Sequence, residues 1–222
     1  MLTLRNAKVL CSIMLPAPLN VNEADLGVLY RALGRGLVQW QPIETALYLA
    51  AFGAMGVSHA ECSREFFKKP GAGSRLKFTD GVLSKALRPD AYEKTWVPLR
   101  DDTNTFVKYR NCLAHFEVYH ITDHGEAATT LPTKYNVTIA ESHMNFSKRS
   151  HDRVDSLSIE LIDQNNSALR EIAYLLYYFV VDHFPLDAFM GKGLLPLIEL
   201  QLTGFYGNPR LSEFPRPDYA AR

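Results

Sequence analysis

A mainly α-helical fold with one small β insertion is what the sequence predicts, and three observations carry it. Long stretches on either side of residues about 116–145 repeat apolar side chains every three to four positions, the period of a helix with one buried face. Between them, Phe116 to Thr122 and Lys134 to Glu141 change to β-branched and aromatic residues in two-residue alternation, with Asp123-His124-Gly125 as a turn. The chain has 222 residues, 47% of them hydrophobic, enough to bury a sizeable core. The expected organisation is a single domain over residues 1–222. Its helical core spans 20–184, with the β insertion at about 116–145 and a C-terminal extension at 185–222.

In chain order, residues 1–20 place Arg5 and Lys8 ahead of the apolar run Val9 to Leu15, followed by Pro16-Ala17-Pro18. The apolar core is short and lacks a small-x-small cleavage site, so an N-terminal arm is expected rather than a secretion signal. The first helix starts near Asn20 or Asn22, either of which can cap it, with Glu23 and Asp25 favourable in its first turn. Leu26, Leu29, Tyr30, Leu33, Leu37 and Trp40 keep helical spacing, and Leu47, Tyr48, Ala51 and Met55 continue it. Pro42 disfavours an α conformation at Gln41, so a kink or a new helix is expected there. Glu44 follows Trp40 by four residues on the same stripe. A carboxylate facing a core needs a partner, and Arg110 is one candidate; the plainer reading leaves Glu44 exposed at the edge of the stripe.

His59 to Lys69 reads as a helix and Lys68 to Ser74 as a loop. Lys68, Lys69, Arg75 and Lys77 form the most basic local run, read as solvated. Gly71-x-Gly73 is not a phosphate loop, because no G-K-[ST] follows and no strand precedes. Asp80 is placed to cap a short helix, Val82 to Leu87, and Asp90 to cap a long one. That long helix carries Ala91, Trp96, Leu99, Phe106, Tyr109, Leu113 and Phe116 near its buried side, with a kink at Pro98. A last helix is expected from about Asp152 to His183, with Val154, Leu157, Leu161, Ala168, Ile172, Leu175, Leu176 and Phe179 facing one way. Its end, Ile172 to Phe184, is apolar nearly all round yet too short to span a bilayer. Burial on more than one side follows, inside the bundle or at a dimer seam. Beyond Pro185, Leu194 to Leu202 reads as a short helix before an irregular tail.

Charge and cysteine usage bound the function. Lys plus Arg and Asp plus Glu each total 24, so no global basic field marks a duplex-binding protein. Positive charge confined to a cleft remains compatible with this balance. Cys11, Cys62 and Cys112 form no C-x-x-C pair and no even framework, which points to a reducing, cytoplasmic setting. His115, His120, His124, His143 and His151 match no ligand signature, and strand positions four apart lie about 13 Å from each other. No metal and no cofactor are therefore expected, and no membrane association.

The chemistry concentrates in one stretch. Phe106, Tyr109, Leu113 and Phe116 form an apolar stripe, and beside it stand Arg110, Asn111 and His115. On a helix, positions 111 and 115 lie one turn apart on one face, with position 110 flanking. Arg offers a fixed charge and a fork of donors suited to phosphate oxygens. His gives and takes a proton near neutral pH. By spacing alone, a solvated helix edge carrying Arg and His is the better reading, since the two types five apart occur often by chance.

Arg110-Asn111-Cys112-Leu113-Ala114-His115 resembles the R-N-x-x-x-H signature of HEPN domains, small helical bundles found in many RNA-cutting toxins and defence proteins. The likeness includes the fuller RN-x-L-A-H form at the end of a long helix. The stretch from Leu37 through Trp40 to Glu44 is similar to an early-helix pattern of that family. The resemblance implies a metal-independent endoribonuclease of toxin or defence type with Arg110, Asn111 and His115 as catalytic residues and Glu44 in support. His115 moves the proton while the RNA 2′-OH attacks the adjacent phosphate, Arg110 stabilises the phosphoryl oxygens, and Asn111 orients His115 or holds the phosphate. It further implies a homodimer with a composite cleft, RNA as substrate, and an antitoxin or regulatory protein as partner. The alternative is a non-catalytic HEPN-like module that binds nucleotide, RNA or protein. One branch of the family is controlled by nucleotidylation of a Tyr two residues after the motif His. Glu117 stands there in this chain, which puts that control in doubt although Tyr119 is near.

Overall fold

A computed structural model describes residues 23–115, 117–120, 137–140 and 156–190, together with 194, 196 and 198. Its elements are α1 (Glu23–Met55), α2 (His59–Phe67), α3 (Ala72–Ala86), α4 (Pro89–Ala91), a π-helical turn (Tyr92–Trp96), α5 (Val97–His115), β1 (Glu117–His120), β2 (Val137–Ala140), β3 (Ser156–Ser158), α6 (Ile159–His183) and α7 (Asp187–Met190). Helix dominates. The three short strands pair antiparallel in the order β1-β2-β3, with Val118 opposite Ile139 and Ile139 opposite Leu157. The expected N-terminal arm, the turn at 123–125 and the irregular tail lie outside the described residues, as does most of the span 194–202. Among the described residues, no helix is long and apolar enough to cross a membrane.

Five local expectations are corrected. No new helix starts at Pro42: α1 is one continuous helix with the proline inside it. Proline removes the N–H that would reach the Val38 carbonyl, and Val38 is 69% exposed, so solvent has access to that turn. Gly56, at φ 62°, ends the helix in the left-handed region that glycine adopts without strain. Ser58 then caps α2 through its hydroxyl, which accepts from the Glu61 N–H at 3.2 Å. The loop expected at 68–74 shrinks, because α3 already begins at Ala72. Asp80 therefore sits inside α3 and caps nothing. Asp90 is not a cap either; Arg88 takes that position with Pro89 at the first turn, and Asp90 pairs with Lys94 at 2.6 Å. Finally, α6 begins at Ile159, and Leu157 belongs to β3. Its buried stripe runs through Ile159, Ile162, Asn166 and Leu169, whereas Leu161 and Ala168 are half-buried.

The chain divides into two compact units, Met1–Val38 with Tyr109–Ala168, and Gln39–Lys108 with Leu169–Arg222. The first unit is knit by one buried asparagine. Asn166 donates through Nδ2 to the Ala32 carbonyl at 3.0 Å, and the Tyr109 hydroxyl lies 3.0 Å from both Asn166 Oδ1 and the Ile162 carbonyl. Burial first, then the nearby Asp163 and Cys112, push the Tyr109 hydroxyl well above the ordinary tyrosine range. Gly36 permits this approach. A Cβ there would collide with Leu113 Cδ1 and would stand 2.6 Å from Asn166 Oδ1. Gly36→Ala should accordingly destabilise the protein by about 1–3 kcal/mol, read from urea midpoints. Gly34 has nothing within 4 Å of its Cβ position. Gly34→Ala should raise stability by up to about 1 kcal/mol, and equal effects at the two sites would refute the packing argument.

The second unit carries the aromatic core. Trp96 is fully buried and packs on Phe179, ring centroids 5.4 Å apart, while Phe52 meets Phe189 at 5.9 Å. Every residue from Ile172 to Val180 is buried within the single chain. The apolar excess of the last helix is thus covered inside the fold. Thr79 donates its buried hydroxyl to the Leu47 carbonyl at 3.2 Å. Asp80 Oδ1 accepts from the Tyr92 hydroxyl and Trp96 Nε1, each at 2.8 Å, and from Arg100 Nη1 at 3.4 Å. The π-turn lies directly before Val97-Pro98, and its wider bonding loosens the ladder where the proline supplies no N–H.

Cys62 and Tyr48 share the same unit and both are held protonated. Burial pushes the Cys62 thiol from 9.0 to about 11, against a lowering contribution from its hydrogen bond with Tyr48. Burial, then Cys62, pushes Tyr48 from 10.0 to about 12. Unfolding exposes both groups at their ordinary values, so above pH 9 the unfolded chain releases protons that the folded chain retains. Their contribution is complete below pH 9.0 and is lost as pH rises through about 11 for Cys62 and about 12 for Tyr48. Chemical denaturation across that range should show stability declining with pH, and a Cys62→Ala variant should show a shallower decline.

Candidate functional site

The last turns of α5 present the motif. Tyr109 and Leu113 are buried at 8% and 5% exposure, whereas Asn111 is exposed and Arg110 half-buried. Helical spacing explains the division: positions 109 and 113 share the face that meets Ala32, Gly36 and Asn166, and positions 110 and 111 are turned away from it. Arg110 Nη1 lies 3.4 Å from Asn111 Oδ1, an arginine-to-amide contact at the surface. His115 closes α5, one helical turn beyond Asn111 on the backbone. Cationic side chains are favoured there, since the carbonyl end of a helix carries partial negative charge. The described motif side chains thus offer a guanidinium and an amide to solvent on one helix end.

Glu44 belongs to the other unit. Its partner is Arg75, whose Nη1 donates to Glu44 Oε1, and both side chains are largely buried, at 17% and 21% exposure. Arg110 is not needed to satisfy this carboxylate. The Arg75 guanidinium also lies over the rings of Phe67 and Phe66, at 5.3 and 5.8 Å. The basic run at 68–77 thereby loses one member to a structural role. Glu44 lines a cleft of about 260 Å³ together with Gln41, Tyr48, His59, Ser63 and Phe67. Tyr48 stacks on Phe67 at 5.7 Å and 26° and meets His59 edge-on at 5.7 Å.

Two polar centres escaped the sequence reading. Asn166 occupies an apolar helical position, four after Ile162 and three before Leu169, and that misfit is the signal that marks it. Asp80 carries no comparable signal, because its three donors lie 12 to 20 residues away. His183 Nε2 lies 4.0 Å from the adjacent Asp182 Oδ2, and its ring packs on Phe179 at 4.6 Å. Burial holds His183 below the ordinary histidine value, with Asp182 opposing that shift. Among the described residues, no group of three or more His, Cys, Asp or Glu side chains is arranged to hold a metal ion. The histidines at 124, 143 and 151 lie outside the described residues. No protein-family model, curated protein or solved structure matches this chain.

Proposed function

We propose that the chain is a metal-independent endoribonuclease of HEPN type, built as a HEPN-like bundle with a small β insertion after α5 and acting in a toxin or defence setting. The observation that supports it best is the division of α5, with Tyr109 and Leu113 buried, Arg110 half-buried and Asn111 exposed one turn before His115. In the proposed reaction His115 accepts the proton of an RNA 2′-OH as that oxygen attacks the adjacent phosphorus. The bond from phosphorus to the 5′-oxygen breaks, the leaving oxygen takes up a proton, and a 2′,3′-cyclic phosphate remains. Arg110 balances charge on the phosphoryl oxygens, and Asn111 orients His115 or holds the phosphate. A homodimer with a composite cleft is part of this reading. It rests on the resemblance alone, since the apolar run of α6 is covered within one chain. An antitoxin or regulatory protein is the expected partner.

The zero net charge favours a second reading, a non-catalytic module that binds nucleotide, RNA or protein. Incubating purified protein with mixed RNA, with and without EDTA, separates the two. Cleavage that persists in EDTA and leaves 2′,3′-cyclic phosphate ends supports the nuclease. Retention of RNA without cutting transfers the assignment to the binding module, and neither binding nor cutting removes both RNA readings.

A further inference from the structure

We infer that the cleft beside Glu44 binds a neutral planar heterocycle with two adjacent N–H donors, the chemistry of a guanine edge. This proposal is independent of the α5 motif. Three features of the cleft select that class.

The first is charge. Glu44 is already paired with Arg75, so its carboxylate is not left uncompensated to attract an ammonium. Arg75 is itself fixed over Phe66 and Phe67. The second is an aromatic wall. Phe67, which lines the cleft, is 53% exposed although it is a large apolar side chain, and Tyr48 stacks against it at 26°. The Phe67 ring is the exposed one, backed by the buried Tyr48, and an exposed ring in a concavity suits a flat ligand, because stacking draws on the whole face of a base. The third is the polar edge. A carboxylate has about four acceptor positions, and the Arg75 guanidinium occupies one of them at Oε1. The remaining positions accept from a ligand and cannot donate. Guanine alone among the common bases sets a ring N–H beside an exocyclic amine; adenine and cytosine place an acceptor there, and uracil has a single N–H. The cleft, at about 260 Å³, is of single-heterocycle size and lies just below the range of drug-sized pockets.

The test uses the whole chain carrying His115→Ala, so that any RNA added stays intact whatever the motif does. Calorimetric titration with guanosine should give saturable binding at or below about 1 mM. Inosine, which lacks the exocyclic amine, should bind about tenfold more weakly, and adenosine more weakly still. Phe67→Ala, a change at an exposed position, should cut guanosine affinity about tenfold or more. A single-stranded oligonucleotide containing one guanine then identifies the source. If it displaces guanosine, the base comes from a strand; if it does not, the ligand is the free nucleoside. Absence of saturable guanosine binding, equal affinity for adenosine, or indifference to Phe67→Ala overturns the proposal. RNA cleavage by wild-type protein is read separately and is untouched by any of these results.

Discussion

His115→Ala is expected to reduce RNA cleavage by roughly 10²-fold or more, the usual contribution of a positioned proton-transfer group. Arg110→Ala should lower the rate by a similar factor through loss of charge stabilisation on the phosphoryl oxygens. Neither substitution should unfold the protein. Position 110 is half-buried at the surface, its Nη1 contact is with its own neighbour Asn111, and the buried contacts of that turn are made by Tyr109 and Leu113. Circular dichroism of both variants should therefore overlay the wild type while product formation falls. A phosphate-anchoring role for Arg110 would also weaken RNA retention, whereas His115→Ala should retain RNA undiminished. Cleavage at the wild-type rate in His115→Ala would detach the activity from the motif and sink the proposed mechanism.

The largest stability effect is expected at Asp80. One carboxylate oxygen receives donors from Tyr92, Trp96 and Arg100, and the Trp96 ring is fully buried. Asp80→Ala removes the acceptor and strands a buried indole N–H, at a cost of about 3 kcal/mol. For a chain of this size that corresponds to a fall of roughly 6–12 °C in Tm. Asp80→Asn keeps a carbonyl oxygen at the same place and should recover more than half of the loss. If Asn proved as damaging as Ala, the charge pairing with Arg100 would be the dominant interaction instead of the hydrogen bonds to the two aromatic side chains. A carboxylate that merely decorated the surface of α3 would give no measurable shift in either variant.

The helices were legible because apolar periodicity reports burial directly. Leu29, Trp40, Leu47, Tyr48 and Ala51 are all buried as their spacing predicts, and so are Trp96, Leu99, Tyr109 and Leu113. What failed were the punctuation marks. Aspartate just ahead of an apolar run looks like a cap, but Asp80 was claimed by three donors brought in by tertiary packing, which outweighs a local capping preference. Pro42 reads as a kink or the start of a new helix, yet α1 runs through it unbroken. Tyr30 fits the apolar stripe of α1 and is 58% exposed, because Ala32 and Gly36 take the inner positions where three helices crowd. The motif was readable only as a pattern of residue types. Its division into buried and solvent-facing members needed the fold, and so did the assignment of Glu44 to Arg75.

The π-turn has a consequence for how this helix can change over generations. Adding one residue to an α-helix turns everything after it by about 100°, which would swing Leu99, Val107 and Tyr109 out of their buried places. A single wide turn at Tyr92–Trp96 takes up such an extra residue on the spot. Kindred sequences that differ by one residue within these five positions would therefore keep the later part of the helix in phase, one form wide at that turn and the other purely α. Length variation is usually sought in loops; in this chain a helix has a place for it.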